Sequence, residues 1–320
     1  MAETMNKVRT LFMGTPDFSV PCLEKLLTME QLTVVGAVTQ PDKPRGRGKK
    51  LTPSPVKACA EKNGLPVYQP IRIKNDEEFL RQLREEIKPE LIIVVAFGQI
   101  LPAEVLDLPK YGCINVHASL LPKYRGAAPM QRVIMDGEAV TGVTTMLMDI
   151  GLDTGDMLEK SELAIAPDMN LEELHDTLSA QGAELMKTTI EKTLAGTITR
   201  TKQDDSLSCY AKMIEKDTGA IDWSRTTAEI HNLVRALDPA PGAFTSLGEE
   251  KYKIWRTKPS NISADSKEPG DIIQADGKGL LVKTGDGVIE VIELQAPAKK
   301  RMKATDYLRG HAIELPAKYE

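Results

Sequence analysis

The stretch that most constrains this chain is Leu91–Gly98, which is apolar almost throughout and shows no polar–apolar alternation. A strand written this way is buried on both faces, which implies a parallel sheet covered by helices on each side. The flanking sequence supplies the pieces. Val8–Gly14, Thr33–Gln40 and Gly112–Ala118 are further strand-like runs, and Thr144–Asp149 is expected to close the sheet. Between them Pro21–Thr28, Ser54–Asn63, Asn75–Ile87 and Gly126–Met135 read as helices. Pro55 stands at a tolerated first-turn position and Gly64 is a stop. Phe79, Leu80, Leu83 and Ile87 recur at helical spacing. The alternation specifies an α/β fold built on an open, mostly parallel, Rossmann-like sheet. Gly14-Thr15-Pro16 is no dinucleotide fingerprint, because no GxGxxG follows the first strand.

Asn170–Leu194 reads as a long amphipathic helix, with Leu171, Leu174, Leu178, Leu185 and Ile190 on its apolar side. Asn170 and Glu173 have the spacing of an N-cap and its reciprocal partner. Gly196 and the polar run Thr199–Ser208 look like a linker. The chain then changes character. Thr226 and Glu229 form a capping box ahead of a short helix that Pro239 and Pro241 end. Short strand runs follow at Ala243–Leu247, Lys251–Arg256, Asp271–Ala275, Gly279–Lys283 and Val288–Leu294, with Gly248, Asp276-Gly277 and Asp286-Gly287 as turns. Little helix and many short strands suggest a small β-barrel, such as the oligonucleotide-binding (OB) type. The expected domains are 1–195, a linker at 196–208, and a β domain at 209–320. A length of 320 residues agrees with two domains.

A formal net charge of −5 argues against binding nucleic acid with the whole surface but leaves room for local basic sites. Cys22, Cys59, Cys113 and Cys209 are far apart and form no CxxC pair, which suits free thiols in a reducing compartment. Met1–Lys7 is short and polar, leaving no room for a signal or transit peptide, and no apolar run is long enough to span a membrane. A cytoplasmic monomer is expected.

Two segments carry chemistry. In Cys113-Ile114-Asn115-Val116-His117-Ala118-Ser119-Leu120-Leu121-Pro122, Asn115 and His117 are two residues apart on a strand, so they share a face near its carboxyl end. Ligands of open α/β sheets collect outside those ends. From spacing alone, the pair reads equally as a site or as a sheet-edge histidine with an ordinary partner. In Met148-Asp149-Ile150-Gly151-Leu152-Asp153-Thr154-Gly155-Asp156, two glycines bracket Asp153 in a tight turn. Such an aspartate is usually a turn former; here both loops should emerge at the same sheet edge.

Asn115-Val116-His117 with Ser119-Leu120-Leu121-Pro122, then Tyr124-Arg125-Gly126-Ala127-Ala128-Pro129, then Leu152-Asp153-Thr154-Gly155-Asp156, resemble the folate-dependent formyltransferases. Gly14-Thr15-Pro16-Asp17-Phe18, Thr39-Gln40-Pro41-Asp42 and Ala220-Ile221-Asp222-Trp223 narrow the resemblance to members acting on aminoacylated initiator tRNA. It extends from about Val8 to about Leu308. The resemblance implies the formyltransferase fold, 10-formyltetrahydrofolate as co-substrate, no metal, and methionyl-initiator tRNA as acceptor. It names Asn115, His117 and Asp153 as the catalytic trio. Asn115 would donate to the oxyanion formed when an amine attacks the formyl carbon. His117 would stabilise that oxygen or exchange a proton. Asp153 would hold His117 in its useful tautomer or relay the amine's proton. It further implies a folate cleft walled by Phe97, Gly98, Ile100 and Leu101 and by Ser119, Leu120, Leu121 and Pro122, offering apolar surface and free backbone groups to a pteridine.

The segment from Pro41 to Pro53 holds the basic residues Lys43, Arg45, Arg47, Lys49 and Lys50 against one acid, Asp42; its three prolines and two glycines are expected to exclude regular structure. Basic flexible segments suit nucleic-acid backbones, and in the resembled family this insertion contacts the acceptor stem. Arg125 and the cluster Lys299, Lys300 and Arg301 are further expected tRNA contacts. Aromatic residues make up 4% of the chain, which argues against a wide base-stacking platform. His175, on the long helix, reads as structural or exposed and His231, behind the second capping box, as a helix-surface residue, and the scattered cysteines and histidines offer no zinc site. The rivals are a formyltransferase acting on a small amine, a hydrolase releasing formate from formyl-folate, and a non-catalytic tRNA-binding protein.

Overall fold

The computed structural model describes residues 7–45 and 50–320. The chain divides into two compact units. One comprises Met1–Gly126, Thr141–Leu163 and His175–Tyr210; the other comprises Ala127–Val140, Ala164–Leu174 and Ala211–Glu320.

The first unit is built on a seven-stranded sheet. Its order across the sheet is Met157–Ala164, Val140–Leu147, Cys113–His117, Leu91–Val95, Val8–Gly14, Leu32–Val38 and Val67–Tyr68. The last five are mutually parallel. All five residues of Leu91–Val95 are buried, as the apolar run requires. Leu11, Met13, Ile92, Val94 and Cys113 pack with Phe79, Leu80, Leu83 and Ile87 in one cluster, so the periodic face of the expected helix is the face that meets the sheet. Ser54 caps its helix by accepting from the Lys57 N–H at 3.0 Å, with Pro55 in the first turn. In the Ala164–Leu174 part of the second unit, Asn170 and Glu173 close a reciprocal capping box at 2.9 and 3.0 Å.

Three expectations need correction. Thr144–Asp149 does not close the sheet: Val140–Leu147 runs antiparallel to Cys113–His117, pairing Asn115 with Met146 and His117 with Thr144. Met157–Ala164 takes the edge beyond it. That strand carries Glu159, Lys160 and Glu162, and charge on an edge strand blunts it against further pairing while hiding it from a hydrophobicity reading. The helix expected from Gly126 begins at Pro129, because Tyr124 (φ +58°) and Gly126 (φ +113°) turn the chain through left-handed conformations first. The basic insertion is not free of regular structure: Lys43–Arg45 and Lys50–Thr52 pair antiparallel, with Pro44 opposite Leu51. A two-stranded ribbon has an unpaired side, so a proline without an N–H is tolerated there.

In the second unit the five expected strands form one antiparallel sheet in the order Ala243–Leu247, Glu250–Ser260, Val288–Gln295, Gly279–Lys283, Ile272–Asp276, with Met302–Lys303 added to Val288–Gln295. Among the described residues the two outer strands do not pair with each other. The chain's last residues hydrogen-bond to both edges: Ile272 N–H donates to Ala317 O and Tyr319 N–H to Gly270 O at 2.9 Å, while Ser246 and Glu320 exchange backbone bonds at 3.1 and 2.9 Å. Tyr319 is buried and stacks on Trp223 at 5.6 Å within a core shared with Tyr252 and Tyr307.

His231 is not the surface residue that its place behind the capping box suggested; it is 9% exposed. It precedes Val234 by three residues and so lies beside the apolar stripe of its helix. Its Nδ1 faces Thr257 Oγ1 at 3.0 Å, and its Nε2 faces Pro167 O and Asp168 Oδ1, both at 3.3 Å. Burial holds its pKa below the ordinary histidine value, although the Pro167 carbonyl opposes the shift.

Two outcomes follow from this packing. A Cβ at Gly142 would lie 2.1 Å from the Ser161 carbonyl oxygen on the neighbouring strand, so Gly142→Ala should lower unfolding free energy by about 1–3 kcal/mol, read as a reduced urea midpoint. For His231, the unfolded chain takes up a proton at higher pH than the folded one. Stability present above about pH 6.5 is therefore lost as pH falls toward the lowered folded value. In unfolding curves measured between pH 7.5 and 5, His231→Gln should flatten that part of the pH dependence.

Candidate active site

From its first strand the chain moves to Leu32–Val38 and Val67–Tyr68 on one side, then returns to Leu91–Val95 on the other. The order of strands thus reverses between Val8–Gly14 and Leu91–Val95, where Gly14 pairs with Val95. A crevice opens outside the carboxyl ends at such a switch point. The segment entering it is shaped by backbone: Ala96 has φ +45° and Gly98 φ +81°. Phe97 and Leu101 are buried at 2% and 3% exposure, whereas Ile100 is 75% exposed. The side chains of Phe97 and Leu101 are therefore core, and Ile100 is the apolar surface on offer. The Phe97 carbonyl already accepts from Thr15 Oγ1 at 3.0 Å and Gln40 Nε2 at 3.3 Å. Gln99 is fixed as well, accepting from Ile73 N–H at 2.8 Å and donating to Pro70 O at 3.0 Å.

The Ser119–Pro122 segment is similarly anchored. Ser119 is fully buried and donates to Lys123 O at 2.7 Å. Thr144 Oγ1 donates to Ser119 O at 2.7 Å and accepts from Leu121 N–H at 3.1 Å. Leu121 is buried, while Leu120 and Pro122 are partly exposed.

Asn115 is the middle and His117 the last residue of the Cys113–His117 strand, nearly buried at 8% and 7% exposure. The Asn115 amide makes no hydrogen bond among the described residues. A nearly buried amide without a partner is costly in a core and useful at a site. His117 Nε2 lies 2.9 Å from Tyr124 O. A carbonyl can only accept, so Nε2 carries the proton. In the neutral ring Nδ1 is then a lone pair, and it faces Asp153 Oδ2 at 3.7 Å. That separation is too long for a direct hydrogen bond. The tautomer is thus set by the Tyr124 carbonyl.

Asp153 sits at the top of a turn in which Asp149 Oδ1 accepts from Gly151 N–H at 3.0 Å and Thr154 Oγ1 at 2.7 Å. Its own φ is +56°. Its carboxylate accepts from the Gly126 N–H at 2.8 Å. Two loops that follow different strands are joined there, the one bearing Tyr124 and Gly126 and the one bearing Asp153. Arg125, Leu152, Thr154, Ser208, Cys209 and Tyr210 line an open pocket of about 440 Å³ beside this turn. Among the described residues no three His, Cys, Asp or Glu side chains converge as a metal site would require.

The expected basic contacts fall into three groups. Lys43 is exposed, and Arg45 and Lys50 form the last pair of the hairpin. Arg47 and Lys49 lie outside the described residues. Arg125 is held within its unit, donating to Gln203 Oε1 at 2.9 Å and Asp205 Oδ1 at 2.8 Å. In the second unit Lys299 and Lys300 are exposed. Arg301 instead pairs with Asp238 at 3.1 Å and Glu293 at 2.6 Å, its guanidinium over the Trp255 ring.

The sequence reading missed Thr15 and Gln40 as clamps on the Phe97 carbonyl, although both stand in motifs that follow strands. It also missed Gln203, whose polar surroundings gave no signal.

The chain matches the family model "Formyl transferase" over residues 6–190 and "Formyl transferase, C-terminal domain" over residues 213–312. It is 50% identical over 308 residues to the methionyl-tRNA formyltransferase of Clostridium novyi, covering 96% of this chain and 98% of that one. It is also 50% identical over 312 residues to the methionyl-tRNA formyltransferase of Ruminiclostridium cellulolyticum, covering 97% and 99%. Among solved structures, the N-formyltransferase of Helicobacter canadensis, in complex with folinic acid and dTDP-3-aminofucose, shares the fold with a TM-score of 0.64 at 20% identity, covering 90% of this chain and 99% of that one. HypX of Aquifex aeolicus, in complex with tetrahydrofolic acid, does so with a TM-score of 0.62 at 16% identity; it covers 95% of this chain, which spans about half of that protein's length (47%). With both family models matched in order and half the residues identical to these relatives over nearly the full length, the chain belongs to the formyl transferase family, in its methionyl-tRNA formyltransferase branch.

Proposed function

We propose that this protein transfers the formyl group of 10-formyltetrahydrofolate to the α-amino group of methionine esterified to initiator tRNA. The observation that carries the reading is full-length, half-identical kinship with methionyl-tRNA formyltransferases. The Asn115–His117–Asp153 cluster beside the switch-point crevice supplies matching chemistry. The reaction replaces one C–N bond with another: the amine nitrogen bonds to the formyl carbon and the bond to N10 breaks. The amine loses a proton and N10 gains one.

In this reading the unpartnered Asn115 amide donates to the oxyanion that develops on the formyl oxygen, a contribution on the order of 3 kcal/mol of barrier. His117, with Nε2–H committed to Tyr124 O, offers Nδ1 toward the reacting atoms. Asp153, fixed by the Gly126 N–H, accepts the amine's proton directly or through a water and passes it toward N10. The pteridine lies against Ile100, Leu120 and Pro122, where apolar surface is open. Backbone pairing must come from groups other than the Phe97 carbonyl, which Thr15 and Gln40 already hold.

For the tRNA we favour Lys43, Arg45 and Lys50 of the hairpin strands, Arg47 and Lys49 from the same basic run of the sequence, and Lys299 and Lys300 in the second unit. Arg125 and Arg301 serve structure first, since each is held by acidic or amide partners. Two local positive patches on a chain of net charge −5 account for RNA binding by an acidic protein. We divide the chain into a catalytic domain at 1–195, a linker at 196–208 and a tRNA-binding domain at 209–320; the family models leave residues 191–212 between them. We read the second unit as a small OB-like barrel whose seam is filled by Ala317–Glu320. The protein would act as a cytoplasmic monomer; among the described residues no helix is long and apolar enough to cross a membrane.

The direct test supplies 10-formyltetrahydrofolate with methionyl-initiator tRNA, glycinamide ribonucleotide or no acceptor. Product should form on the tRNA alone; transfer to the small amine or release of free formate would overturn the assignment. His117→Ala should lower kcat by about 10²–10⁴-fold while tRNA affinity in filter binding changes less than about twofold; equal losses in both would remove His117 from the chemistry. Arg47→Ala should weaken tRNA binding and reduce the slope of log K against log salt by about 0.7–0.9, the value of one lost phosphate contact. An unchanged slope would take Arg47 off the RNA backbone.

A further inference from the structure

We propose that Gln203 is a positioning residue for Asp153, and that the stretch read as a linker thereby takes part in catalysis. The proposal rests on the reading of Asp153 as the proton-accepting carboxylate. Gln203 Nε2 donates to the backbone carbonyls of Asp153 and Gly155, both at 2.8 Å. Its Oε1 accepts from Arg125 Nε at 2.9 Å. Both amide protons and one carbonyl lone pair are in use, so the side chain has one orientation.

These bonds close a circuit around the carboxylate. Arg125 is bonded through the chain to Gly126, whose N–H donates to Asp153 Oδ2 at 2.8 Å. Gln203 therefore grips the main chain of Asp153 with one end of its amide and the neighbour of the carboxylate's own donor with the other. Asp153 needs such a grip. Its φ of +56° is a conformation that a non-glycine residue keeps only where its surroundings over-determine it. Gly155 adds a second constraint, since a Cβ there would lie 1.8 Å from Leu147 O and the turn has no room to re-form by sliding. Arg125 is in turn steadied by Asp205 at 2.8 Å.

Glutamine is the side chain these partners select. A glutamate would set a carboxylate against two carbonyl oxygens and lose both donors. A methionine fills a similar volume and makes none of the bonds. If Gln203 only stapled residues 200–208 to the turn, its loss would lower stability and leave turnover to Asp153 alone.

The test uses the full-length protein with Gln203→Met, alone and combined with Asp153→Asn, measuring kcat, both KM values and the thermal midpoint. A displaced catalytic group costs turnover more than binding, so Gln203→Met should lower kcat about 10–100-fold with KM for 10-formyltetrahydrofolate within about twofold. Added to Asp153→Asn it should cost less than about threefold more, because residues that act as one unit are not additive. Gln203→Asn, one methylene too short to reach, replaces Gln203→Met if the latter does not fold. An unchanged kcat in the glutamine variant beside a crippled Asp153→Asn overturns the Gln203 proposal alone. The same loss in both backgrounds also overturns it. An Asp153→Asn protein as active as the wild type overturns the reading of Asp153, and the Gln203 proposal with it.

Discussion

A strand buried on both faces has nowhere to place a polar side chain except at its ends, and the first unit is organised by that constraint. Leu91–Val95 is buried at every position and has parallel neighbours on both sides. With Val8–Gly14 beside it, it fixes the point where the strand order reverses, and the crevice follows. The next strand carries two larger polar side chains, Asn115 in its middle and His117 at its end. Each is a polar group in a nearly dry place. His117 resolves the conflict by donating to the Tyr124 carbonyl; Asn115 does not resolve it within the described chain. An amide without a partner in the described chain, beside a crevice, is the kind of local inconsistency that a binding site leaves in a core.

The rest of the site is built from backbone. Tyr124, Gly126 and Asp153 all adopt positive φ. The loop carrying the first two presents a carbonyl to His117 and an N–H to Asp153, so a short piece of irregular chain sets one tautomer and one carboxylate orientation together. Main-chain groups do this well because they add no rotamer freedom, and supporting contacts of this kind keep reacting groups within narrow geometric limits. The same economy appears at the crevice, where Thr15 and Gln40 hold the Phe97 carbonyl and Gln99 ties its segment to Pro70 and Ile73.

The second unit shows how charge and burial are separated. Its aromatic core joins Trp223, Tyr252, Tyr307 and Tyr319. The most elaborate ion pairing in its basic cluster belongs to Arg301, which bridges Asp238 and Glu293 over Trp255, while Lys299 and Lys300 stay exposed. A guanidinium with planar forked donors suits two carboxylates at once, whereas a compact, strongly hydrated ammonium is at home in solvent.

Much of this was legible in the sequence, for physical reasons that differ by element. The buried central strand, the capping boxes at Asn170 and Thr226, and the five short strands of the second unit follow from local periodicity and turn chemistry. Spacing near a strand end left Asn115 and His117 evenly balanced between a site and an ordinary pair, and a glycine-bracketed turn alone made Asp153 a turn former; the resemblance to folate-dependent formyltransferases named the three together. The charged edge strand Met157–Ala164 was hidden because an edge needs no apolar run, and the proline-containing hairpin because a ribbon tolerates what a central strand does not. The burial of His231, the pairing of Arg301 and the grip of Gln203 on Asp153 were decided by tertiary structure alone. Each joins residues tens of positions apart. Composition and spacing determine which elements form and which faces they bury; only the folded chain determines which distant donor meets which acceptor.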